Sequence, residues 1–154
     1  MFITMLQKPE ARSFESFVYT RNSNNLSQKI DTTINPKLQI REGKHWIAYH
    51  MLSWDTVGSA IVKKIDVNKY SIKGKQIHYL GFLTIDGVLT PLENGLLGFD
   101  GIIVSRSKDV NDGFRCKREG KFTFMVKPGK KYWRLQEMEN CQRTGFVDYI
   151  DISF

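Results

Sequence analysis

From Leu38 to the C-terminus the sequence alternates with a period of two, and that constrains the fold more than any other feature. In KHWIAYHML (44–52), Trp46, Ala48 and His50 fall on one side, with Ile47, Tyr49 and Met51 on the other. Successive side chains of a strand point to opposite faces, so such a segment can present one face to a core and one to solvent. SAIVKKID (59–66), QIHYLGFLTI (76–85), GIIVSR (101–106) and KFTFMV (121–126) continue the pattern, and GFVDYIDISF (145–154) closes the chain with it. Turn chemistry separates them. Asp86-Gly87, Asn94-Gly95 and Pro128-Gly129 each read as a turn, and Asp100-Gly101 as another. No long segment holds a helical period, although 5–17 could contain a short helix. The expectation is an all-β chain: a single antiparallel β-sandwich, jelly-roll-like, over residues 38–154, preceded over 1–37 by an extended N-terminal arm that could include a first strand.

With 154 residues, 41% of them hydrophobic, the chain can bury one core. Phe122, Phe124 and Val126 are expected to enter it, together with Phe146, Ile150 and Ile152. Trp46 and Trp133 are also assigned to the core, while Trp54, in the loop SWDTVG, is the best candidate for an exposed contact. The two cysteines, Cys116 and Cys141, lack metal-ligand spacing and read as reduced thiols. The N-terminal apolar run is short and lacks a basic lead, so no secretion signal is expected. No apolar run reaches the length of a membrane span. These points favour an intracellular protein or a virion component.

The arm carries the first functional expectation. Residues 20–36, TRNSNNLSQKIDTTINP, have few apolar side chains. Ordering them costs about 1–2 kcal/mol of backbone entropy per residue, which they cannot recover alone. Ile30, Ile34 and Leu38 would anchor such an arm along a sheet edge, in this chain or a neighbour. A self-associating, non-enzymatic assembly module, such as a viral or phage capsid or tail component, follows from that.

Charge carries the second expectation. The formal net charge is +7, which favours acidic surfaces and nucleic acid. Basic and aromatic residues interleave in DGFRCKREGKFTFMVKPGKKYWRL (112–135). A nucleic-acid platform needs cations and rings on the same exposed face. On a strand, Phe122 and Phe124 alternate away from the neighbouring cations. Only Tyr132 and Arg134 share a face, so contact with nucleic acid is expected to be weak and to involve Lys130, Lys131, Tyr132 and Arg134, with Trp54.

A third reading is a small metal-dependent nuclease. Asp100, Glu119 and Lys121 form the D…E-x-K string that such nucleases carry, but Phe99 stands where they usually have proline. A hairpin charge pair is the simpler account. His45 and His50 lie on opposite strand faces, so they do not suggest a shared metal, and His78 sits among apolar neighbours. Phosphate-loop, dinucleotide and nucleophile-elbow motifs do not occur. No metal or cofactor is expected.

Overall fold

The computed structural model describes residues 40–142 and 145–154. They form eight strands: β1 (Gly43–Tyr49), β2 (Gly58–Asp66), β3 (Lys69–His78), β4 (Gly81–Pro91), β5 (Leu96–Ser107), β6 (Cys116–Val126), β7 (Tyr132–Leu135) and β8 (Ile150–Ser153). Each strand pairs antiparallel with its neighbour in sequence, and β8 returns to pair with β1. The sheet is thus a closed barrel, not the open sandwich that the alternation and turn spacing suggest. The two folds share a period-two pattern, and the difference lies in one long-range register. Ile47 stands opposite Ile152 and Tyr49 opposite Ile150, which joins the first strand to the last. Nothing local in the sequence encodes that pairing.

The inside of the ring is filled. Ile47, Ile72, Leu83, Leu89, Leu97, Phe99, Phe124, Trp133 and Leu135 are buried, among others. An eight-stranded barrel is narrow enough for side chains alone to pack its interior. The outward positions of the central strands carry Lys63, Lys73, Asp86, Asp100, Lys117, Glu119 and Lys121, all exposed. An apolar inside and a charged outside is the reverse of the pattern of a transmembrane barrel. Among the described residues no helix is long and apolar enough to cross a membrane.

Several local expectations are corrected. Asp86-Gly87 is not a turn but the middle of β4, and Asp100-Gly101 lies within β5. Gly87 and Gly101 stand opposite each other beneath the Phe99 ring. A Cβ on Gly87 would lie 2.5 Å from both Phe99 Cε2 and the Asp100 carbonyl oxygen. These glycines permit close packing of strand on ring. QIHYLGFLTI is two strands, divided at Tyr79-Leu80. Asn94-Gly95 does turn the chain, with both residues at positive φ, and Gly129 at φ 70 completes the turn in which Lys130 N donates to the Lys127 carbonyl. Phe124, Ile150 and Ile152 are buried as expected, but Phe122 and Val126 are only half-buried and Phe146 is 54% exposed. Phe146 lies in the long β7–β8 connection, where the strand alternation has not yet begun.

That connection is tied down in two ways. Cys116 and Cys141 form a disulfide, Cα atoms 5.4 Å apart, in place of the expected free thiols. A separation of 25 residues gave no hint that β6 and the connection meet. Beside it, Arg118 donates to the Glu137 and Glu139 carbonyls and lies 3.5 Å from buried Asp148, which also accepts from the Tyr49 hydroxyl at 3.0 Å. Burial pushes the Asp148 carboxyl up, and the Arg118 charge only partly opposes it. Burial, then the Asp148 charge, also raises the Tyr49 hydroxyl.

Candidate functional site

The register that closes the barrel also builds its most distinctive surface. Trp46, Ser153 and Tyr132 lie side by side across β1, β8 and β7. The next outward row is Ala48, Asp151 and Arg134, and beyond the end of β1, His50 meets Tyr149. The outer face of these three strands is therefore a strip of rings with an arginine at its centre.

Arg134 is fixed by both oxygens of Asp151, at 2.8 Å from Nε and from Nη2. Asp151 is fully buried, so this bidentate pair is shielded from water. The hydrogen bonds to Asp151 hold the guanidinium above its ordinary pKa. Three rings surround it. Its Cζ lies 4.4 Å from the Tyr149 centroid, 5.4 Å from Tyr132 and 5.8 Å from Trp54. Trp54 remains 52% exposed and packs on His50, whose Nδ1 accepts from Tyr149 N at 2.8 Å. Burial lowers the His50 pKa, and that acceptor bond keeps Nδ1 unprotonated. At the other end, Trp46 packs tilted on Tyr132 with centroids 5.9 Å apart.

Trp46 opens onto a cleft of about 720 Å³ on the outer wall. Arg41, Lys44, Lys75 and Lys131 line it, with Phe154 and Ile77 among its apolar walls, and among the described residues no Asp or Glu side chain takes part. His45 forms its floor, held between the Ser153 and Arg41 carbonyls at 2.6 and 2.7 Å.

The structure thus brings Trp54, Lys131, Tyr132 and Arg134 onto one face, whereas Lys130 sits in the adjoining hairpin turn, exposed and outside the cleft lining. Sequence reasoning missed Trp46, which is half-buried and outward rather than core, and Tyr149, Arg41, Lys44 and Lys75. The alternation of 44–52 does put Trp46 opposite Ile47, so the face was available; which face was inner was not. Asp100 and Lys121 stand directly opposite each other on β5 and β6, and Glu119 is held by Lys117 at 2.7 Å. All three project from the exposed outer wall. Among the described residues no group of three His, Cys, Asp or Glu side chains could hold a metal ion. Ile30, Ile34 and Leu38, the anchors of the expected arm, lie outside the described residues.

Residues 27–154 match the PM1083 family. The chain belongs to that family. A Pasteurella multocida (strain Pm70) relative, described as "Uncharacterized protein PM1083", is 35% identical over 113 residues, covering 73% of this chain and 72% of its own. No solved structure matches. The match takes in the whole described barrel of this PM1083-family member, including all of β1, β7 and β8.

Proposed function

We propose that this protein is a non-enzymatic binding module that holds single-stranded nucleic acid on the outer face of β1, β8 and β7 and in the adjoining basic cleft. One observation carries the reading: cations and aromatic rings share one outward face, and among the described residues no Asp or Glu side chain competes in the cleft lining. Rings of this kind stack bases, at about 1–3 kcal/mol per base, while neighbouring cations neutralise phosphates. Arg134 is preorganised by Asp151, so its orientation costs no further ordering when a ligand arrives. The filled interior favours a ligand on the wall over one carried inside the barrel. Each strand already has a neighbour on both sides, which leaves strand addition by an assembly arm little support as the binding mode.

The test is fluorescence anisotropy with a labelled oligothymidylate of about 15 nucleotides and a duplex of the same length. The single strand is expected to bind with a Kd of about 10⁻⁴ to 10⁻⁶ M at physiological salt. Tyr132→Ala and Trp46→Ala should each weaken it about tenfold, the loss of one stacked base, and should affect the duplex less. Equal affinity for both nucleic acids, with Tyr132→Ala silent, would leave only nonspecific charge attraction and defeat the proposal.

A further inference from the structure

The 51–54 segment that brings Trp54 to the ring strip is bonded to Ser107, whose neighbours in sequence, Arg106 and Lys108, line a second basic cleft. Ser107, the last residue of β5, donates its hydroxyl to the Met51 carbonyl at 3.3 Å. Lys108, next in the chain, bonds through its backbone N to the Leu80 carbonyl. Around this junction lies a cleft of about 670 Å³ whose lining includes Phe82, Arg106, Lys108, Phe114 and Arg115. Among the described residues its lining carries one carboxylate, Asp112, against three cations.

Its rings are presented, not buried. Phe114 is 72% exposed, and Tyr79, whose ring meets the lining residue Lys108, is 85% exposed. The Arg115 guanidinium lies 5.9 Å from the Phe82 centroid, and Lys108 Nζ lies 5.6 Å from that of Tyr79. The loop that carries Phe114 is braced from several sides. Arg106 Nε donates to the Gly113 carbonyl at 2.8 Å, Phe114 N to the Asn111 carbonyl at 2.8 Å, and Asn111 N to Gln142 Oε1 at 2.9 Å. Asn111 and Asp112 both adopt positive φ, a conformation that costs an L-residue energy and is kept only where surroundings impose it. The disulfide at Cys116 fixes the chain just beyond. A large apolar ring presented to water on a braced loop, with arginine and lysine in the same cleft, offers an aromatic base a stacking surface and its phosphate a partner.

We propose that this cleft is a second subsite for the same single strand, which passes from Tyr132 over Trp54 to stack a base on Phe114 while Lys108 and Arg115 hold its phosphates. The inference rests on the reading above and extends its footprint from one face of the barrel to the neighbouring end.

Length dependence tests it. The wild-type protein is titrated with oligothymidylates of about 6 and about 20 nucleotides, and so are Tyr132→Ala and the double variant Phe114→Ala, Arg115→Ala. Both residues of the double variant are exposed, and an unchanged melting temperature will show that it folds. Charge reversal at Lys108→Glu provides an independent variant. The double variant and Lys108→Glu should leave the short oligomer within about twofold of wild type and weaken the long one about tenfold or more. Tyr132→Ala should weaken both. If the double variant leaves the long oligomer unchanged while Tyr132→Ala weakens it, the second subsite falls and the first reading stands. If the double variant weakens both lengths alike, the two-subsite path is wrong. If wild type binds neither oligomer, both readings fall together.

Discussion

At the scale of single residues, His50 is where the ring strip becomes sensitive to pH. Its Nδ1 accepts the Tyr149 N–H, and its ring packs against Tyr149 and Trp54. Burial lowers its pKa; Arg134 acts in the same sense, while the Asp148 and Asp151 charges and a Tyr149 backbone contact oppose it. The folded state therefore binds fewer protons here than the unfolded chain at pH values below the ordinary histidine value of about 6.5. The stabilisation from neutral His50 is complete above that value and is lost as pH falls through the lower folded pKa. Melting temperatures from about pH 8 to about pH 5 should fall more steeply for wild type than for His50→Gln. Parallel curves would show that the ring's protonation is not coupled to folding. Asp148 runs the other way, since its raised pKa makes it easier to keep protonated when folded, so the His50→Gln comparison is needed to separate the two.

At the scale of elements, β4 and β5 show how local chemistry was overridden. Asp86-Gly87 has the composition of a hairpin turn, yet Gly87 lies mid-strand because Phe99 and the Asp100 carbonyl occupy the space of its side chain. Gly87→Ala should destabilise the barrel by about 1–3 kcal/mol, an overpacking cost, measured as a lower urea midpoint with the slope unchanged. An unchanged midpoint would mean that Phe99 can move aside freely. The limit of what could be read in advance lies at β1, β7 and β8. Alternation identified strand content and placed Phe124, Ile150 and Ile152 inside, and it put Tyr132 and Arg134 on one face. It could not tell that Trp46 belongs to that face too, because both sides of 44–52 carry large apolar residues. Nor could it find Asp151 under Arg134, since an aspartate in GFVDYIDISF looks solvent-facing until β8 is seen between β1 and β7.

At the scale of the whole molecule, the closed ring turns charge into a directional property. The core takes the inner face, so the charged side chains of the described strands fall on the outer wall, and a local excess of positive charge forms where Arg41, Lys44, Lys75 and Lys131 converge. Each phosphate neutralised on a single strand releases counterions and contributes about −0.7 to the slope of log K against log salt. Arg134 already has Asp151 as its partner and adds little. Four cleft cations then give an expected slope of about −3 for a short oligothymidylate. Removing two of them in Lys44→Ala, Lys131→Ala should make the slope shallower by about 1.4. Tyr132→Ala should instead lower the affinity at every salt concentration and leave the slope unchanged, because stacking displaces no counterion. Together the variants separate the two halves of the site. A slope near zero in wild type would place the phosphates elsewhere, and a slope that shifts equally in the lysine and tyrosine variants would mean that rings and cations do not act as separate contacts on this wall.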